Sequence, residues 1–166
     1  VFFQYVQNSG AAPTATLLDG FEANPYTALN GGTWDHDRVS VDRRTTHETQ
    51  GTYAWRIQAS GGTFSGDGYI SGPNVLYDLQ DYSNLYIDVY ISSLPSDCLL
   101  AFGVFDQVGF TGTDTATTSG ATGAFTLSLD LTTVTPRSNI AVSLDIIQLG
   151  LNGGNAVVYV DNLRAV

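Results

Sequence analysis

Several side chains in this sequence have the types and spacing to do chemistry. His36 lies between Asp35 and Asp37, which could orient an imidazole, but no motif places a Ser or Cys nucleophile beside it. Ser65, in Phe64-Ser65-Gly66-Asp67-Gly68, lacks the Gly-x-Ser-x-Gly elbow that exposes a nucleophile. With 16 Asp and Glu residues, some pair will always fall at a glycosidase spacing, so pairing alone singles out none. The tyrosines are more telling. Tyr86 and Tyr90 flank Asp88 on one face of an alternating segment, and Tyr69, Tyr77 and Trp34 are further candidates for exposed rings, with Gln148 as an amide. Flat aromatic faces stack on the apolar face of a pyranose while amides and carboxylates bond its hydroxyls. Strands also use Tyr as half-buried cover, which is the plainer reading of each ring taken singly. The chemistry on offer is binding rather than catalysis, and the sequence reads as a non-enzyme.

Positioning such residues requires strands. The chain is a succession of short alternating segments separated by Gly, Asn, Asp, Pro and Ser clusters, the pattern of a sandwich or barrel. Tyr53, Trp55 and Ile57 share one face of an early segment, which makes Trp55 core. Leu85, Ile87, Val89 and Ile91 point inward from the segment carrying Tyr86, Asp88 and Tyr90. Phe125, Leu127, Leu129 and Leu131 oppose Thr126, Ser128 and Asp130, and Val157, Tyr159 and Leu163 alternate with Val158, Val160 and Arg164. Residues 138–151 are more continuously apolar, as in a central strand covered on both faces. Residues 24–32 read as a turn-rich connection and residues 111–123, rich in Thr, Ser and Gly, as a long loop. The expected fold is all-β: an antiparallel β-sandwich of jelly-roll type with about nine or ten strands.

Composition narrows the partners. The 166 residues suit one domain able to bury roughly 70% of its unfolded surface. A net charge of −10, with every basic residue an arginine, repels nucleic acid and anionic membrane surfaces. No apolar run approaches the roughly 20 residues of a membrane-spanning helix. The lone Cys98 has no internal disulfide partner and reads as a small buried hydrophobe. The absence of Met and Lys, with no visible leader, suggests a processed, secreted product or a piece of a longer chain, placed outside the cell or at its surface. At the amino terminus Val1, Phe2, Phe3, Tyr5 and Val6 form a β-prone apolar arm, and residues 8–16 follow as a linker. The division expected is therefore an arm and linker over 1–16 and a sandwich over 17–166. The arm either completes its own sheet or pairs with a neighbouring copy by strand addition.

Three short motifs, Leu18-Asp19-Gly20-Phe21-Glu22, His47-Glu48-Thr49-Gln50-Gly51-Thr52-Tyr53-Ala54 and Tyr159-Val160-Asp161-Asn162, have a common likeness. In type and order they resemble the jelly-roll carbohydrate-binding modules appended to secreted polysaccharide-degrading enzymes. The resemblance spans residues 18–166 and implies a module whose first and last strands enclose a structural calcium. On that likeness Glu22 and Asp161 would supply carboxylates, Asp19 a further one, and backbone carbonyls near Thr49 and Gln50 the rest of an oxygen shell. The alternative is that Asp19 and Glu22 are turn residues and Asp161 caps a bulge.

Two functions follow. The one placed first is a non-catalytic structural subunit of an extracellular filament or surface layer, self-associating into a homopolymer through Val1–Val6. The apolar arm ahead of a linker and the lack of a run of exposed tryptophans favour it. The other is a glycan-binding module of a secreted polysaccharide-active enzyme, with polysaccharide as its partner.

Overall fold

The computed structural model describes residues 14–60, 66–96, 98–106, 110–117, 121–149 and 155–166, and for residues 60, 66, 110–117, 148 and 149 the backbone only. The arm residues Val1, Phe2, Phe3, Tyr5 and Val6 lie outside the described residues, as does Ser65.

Among the described residues the chain forms strands β1 (Thr16–Asp19), β2 (Asp35–Asp37), β3 (Ser40–Arg44), β4 (Ala54–Ser60), β5 (Gly66–Tyr77) and β6 (Asn84–Ser93). They are followed by β7 (Leu99–Phe105), β8 (Phe110–Thr117), β9 (Gly123–Asp130), β10 (Ile140–Leu149) and β11 (Asn155–Ala165). A single 3₁₀ turn at Leu131–Thr133 follows β9, capped by the Asp130 carboxylate, which accepts from Thr132 N. One sheet runs β3-β4-β11-β6-β9, with β1 also pairing β11, and the other runs β2-β5-β10-β7-β8. All pairings are antiparallel. The fold is the antiparallel β-sandwich expected.

The alternation read from the sequence places the core correctly along most strands. Leu85, Ile87, Val89 and Ile91 of β6 are buried, as are Trp55 and Ile57 of β4 and Leu127 and Leu129 of β9. β10 is the middle strand of its sheet, and Ala141, Val142, Ser143 and Leu144 are all buried, so both of its faces are covered there. Cys98 is fully buried. Phe21, Trp34 and Trp55 form a ring cluster at one end of the core, with centroids 5.1 to 6.2 Å apart.

Four expectations need correction. Thr111–Thr117 is strand β8, paired along β7, rather than loop; Thr is β-branched and suits an edge strand whatever its polarity. In β11 a bulge between Asp161 and Arg164, with Asn162 at φ +53°, shifts the alternation. Val158, Val160 and Leu163 therefore face the core, and Val157, Tyr159 and Arg164 do not. Trp34 is 3% exposed, packed in the ring cluster, because its indole N–H has a buried partner in Asp19 at 3.0 Å. Tyr77 is 7% exposed and its hydroxyl donates to Leu18 O at 3.4 Å. Burial, then the charge of Asp19, pushes the Tyr77 phenol far above its ordinary range. Neither ring is part of an exposed sugar platform.

Candidate functional site

Because β6 alternates, Tyr86, Asp88 and Tyr90 project together from the outer face of the six-stranded sheet. Strand register brings partners to each. Tyr90 stands opposite Tyr159 of β11 and Ala124 of β9, Asp88 opposite Asp161 and Thr126, and Tyr86 opposite Arg164 and Ser128. The same rung continues from Tyr159 to Arg56 of β4 and Asp42 of β3.

Asp88 is the hub. Its carboxylate accepts from Thr126 Oγ1 at 2.8 Å, Asn162 Nδ2 at 2.8 Å and Thr49 Oγ1 at 3.0 Å, and pairs with Arg164 Nη1 at 3.1 Å. Burial works to raise its pKa, but those donors and the guanidinium outweigh it and hold the group below the usual carboxylate range. Beside it, the His47 ring stacks on Tyr90, with centroids 3.5 Å apart and planes at 8°. Tyr159 meets His47 edge-on at 4.6 Å. The Arg164 guanidinium lies over Tyr86 at 5.5 Å. Between the 47–49 turn and β9 this leaves an open groove of about 460 Å³, lined by His47, Thr49, Asp88, Tyr90, Phe125 and Thr126 among others. It offers aromatic edges, an ionised carboxylate, hydroxyls and a guanidinium on one sheet face, a donor and acceptor set suited to a polyhydroxylated ligand.

Of the residues named for ligand contact, Tyr86, Asp88 and Tyr90 are brought together. Tyr69 lies on the other sheet, where it faces Asp37 and Asp145 across the strands. The Gln148 side chain lies outside the described residues. His36 is exposed and stacks on Tyr26 at 4.3 Å. Sequence reasoning missed His47 and Arg164 as groove residues, and Tyr159 and Asn162 as the partners of His47 and Asp88 behind them. Tyr159 and Arg164 could have been found only by placing the β11 bulge, and His47 only by knowing which strand its turn covers.

The residues named for calcium converge in part. Asp161 Oδ2 accepts from Thr49 N at 2.5 Å and Gln50 N at 2.7 Å, and Oδ1 from Asn162 N at 2.7 Å. Glu22 Oε1 accepts from Thr52 N at 2.7 Å and Tyr53 N at 2.9 Å. Asp19, 1% exposed, accepts from Phe21 N at 2.8 Å, Leu29 N at 3.2 Å and the Trp34 indole. Burial raises the pKa of both Asp19 and Asp161 against the lowering effect of these donors. Calcium takes oxygen ligands. Here Asp161 Oδ2 and Glu22 Oε1 each already take two backbone amide N–H groups, which turn positive dipole ends towards the two carboxylates that the resemblance gives to calcium. Among the described residues no group of three or more His, Cys, Asp or Glu side chains could hold a metal ion.

No protein-family model and no curated protein matches the chain. Solved structures do. A family 11 carbohydrate-binding module of the cellulosomal cellulase Lic26A-Cel5E of Clostridium thermocellum superposes with a TM-score of 0.58 at 11% identity, over 94% of this chain and 96% of that one. CBM27-1 of Caldicellulosiruptor saccharolyticus, solved with mannohexaose, superposes with a TM-score of 0.56 at 14% identity, over 92% and 97%. A third structure, from a study of promiscuous specificity in carbohydrate-binding modules of the β-sandwich superfamily, gives a TM-score of 0.58 at 14% identity. It is matched over 90% of this chain, which spans 63% of that one. Among the described residues no helix is long and apolar enough to cross a membrane. The chain has the β-sandwich fold of carbohydrate-binding modules.

Proposed function

We propose that the protein is a glycan-binding module, working outside the cell as part of a polysaccharide-active system, with its site in the groove over β6, β9 and β11. The observation that carries this reading is the His47–Tyr90 stack set beside the Asp88 network on one open sheet face. Thr49, Asn162 and Arg164 meet Asp88 at Oδ2 and Thr126 alone meets Oδ1, so Oδ1 of this ionised carboxylate keeps room to accept a sugar hydroxyl. The net charge of −10 favours a neutral glycan over a polyanionic one. The rung from Ala124 through Tyr90, Tyr159 and Arg56 to Asp42 crosses five strands, about 4.8 Å apart, which suits an extended chain lying across the sheet. Retention on immobilised neutral polysaccharides tests the reading. Wild-type protein is retained, and Tyr90→Ala loses about tenfold in affinity while melting as a folded domain. Failure of the wild type to bind any neutral polysaccharide overturns it.

The apolar sequence Val1-Phe2-Phe3-Gln4-Tyr5-Val6 ahead of a linker supports a second reading, self-assembly by strand addition. Removing residues 1–7 then abolishes polymer seen by light scattering, and a wild type that is monomeric at all concentrations dismisses it.

A further inference from the structure

The turn over residues 47–53 carries His47, Glu48 and Thr49 into the groove wall, and nothing in its own sequence explains why it stays there. It is exposed, it lacks apolar anchors from His47 to Thr52, and His47 sits at φ +63°, a conformation that L residues adopt with strain. What holds it comes from beside the first described strand and from the last one. Asp161, on the last strand, takes the consecutive amides of Thr49 and Gln50, and Glu22, just after the first strand, takes those of Thr52 and Tyr53. Gly51 lies between the two pairs at φ +80°, and a Cβ there would stand 2.0 Å from Glu22 Oε1, so the carboxylate is seated directly against the turn backbone. Asp161 also receives the Thr49 hydroxyl at 3.2 Å, and that same hydroxyl reaches Asp88.

We propose that Glu22 and Asp161 are positioning residues of the groove: two carboxylates that fix the 47–53 turn through its backbone amides, in the place where the resemblance implied calcium. Each anion meets inward-pointing N–H dipoles, which a cation in the same place would oppose. The charge-assisted bonds offset the strain at His47 and keep its ring on Tyr90. The metal-free clamp stands on the turn geometry alone; that it serves a ligand rests on the glycan reading.

The test uses the full chain with calcium chloride, with a chelator, and with neither. The expected result is one melting temperature in all three and no heat of binding for calcium. By amide exchange, Thr49, Gln50, Thr52 and Tyr53 are protected in wild type. Asp161→Asn speeds exchange of the first pair by about tenfold or more, Glu22→Gln that of the second, and each shifts the His47 ring proton resonances away from their Tyr90-stacked positions. A chelator-induced fall in melting temperature, or stoichiometric calcium binding lost in either variant, overturns the proposal. So does wild-type exchange at those four amides as fast as in an unfolded chain, a result that holds even where a variant fails to fold. None of these readouts uses a glycan. A protein that keeps its protected turn but binds no sugar therefore contradicts the glycan reading and leaves the clamp standing.

Discussion

The two outer faces of the sandwich carry the same kinds of residue and treat them differently. On the six-stranded sheet, Asp88 lies between Tyr86 and Tyr90, is met by four donors, and has its pKa held low. On the five-stranded sheet, Asp145 lies on a rung with Tyr69 and Asp37 on one side and Ala101 on the other. Its cross-strand partner Ala101 and the Ser143 two residues before it on the same face are both buried. It accepts one hydroxyl, from Ser143 Oγ at 3.1 Å, and burial, with the nearby charge of Asp67, pushes it up to about 6. A carboxylate on a sheet face is thus an ionised recognition group or a reluctant anion according to how many donors its neighbours supply. That difference locates the proposed site on the first face.

The comparison breaks most visibly at its hub. Asp88→Ala removes the common partner of Thr126, Asn162, Thr49 and Arg164, and we expect a loss of about 3 kcal/mol in denaturant unfolding together with loss of polysaccharide retention. Destabilisation below about 1 kcal/mol would show the network to be loosely held. Next in size is the contrast between tyrosines. Tyr90→Ala weakens retention about tenfold, or about 1.4 kcal/mol, whereas Tyr69→Ala leaves it unchanged; the reverse order would move the site to the other sheet.

The pH dependence separates the two acids. The Asp88 pKa is lowered in the folded state, so its contribution to stability is present above the unfolded carboxylate pKa and is lost as pH falls through the folded value. Asp145 is raised, so the folded state holds its proton more tightly and stability falls as pH rises from about 4 through about 6. Asp145→Asn should flatten that fall and stabilise the protein at neutral pH by about 1 kcal/mol, once solvent screening of this part-exposed group is allowed for. Melting temperature measured across that interval decides it: a wild type with no decline there removes the assignment. Of similar size is Trp34→Phe, which deletes the indole bond to Asp19 and should cost about 1 kcal/mol in unfolding while leaving retention untouched.

The strand alternation that reveals the fold also exposes Tyr86, Asp88 and Tyr90, because one-face burial of β6 is a local, period-two signal. Trp34 and Tyr77 were misjudged because their burial depends on Asp19 and Leu18, partners distant in sequence that no local pattern announces. Arg164 was displaced by the β11 bulge, which reverses which side chains face outward from one residue to the next. The Thr-rich β8 illustrates the limit of polarity as a guide, since an edge strand needs pairing groups more than apolar ones. His47 was legible as part of a short motif but not as the cover of Tyr90, a contact made only when residues distant in sequence meet over β6.

The central claim is that a neutral glycan lies in the groove over β6, β9 and β11. Amide chemical-shift mapping during titration with a panel of neutral oligosaccharides tests it most directly. The account predicts saturable shifts concentrated at residues 47–49, 88–90 and 124–126, with Tyr69 and Asp145 silent. Shifts centred on Tyr69 and Asp145, or no saturable shift with any member of the panel, would contradict it.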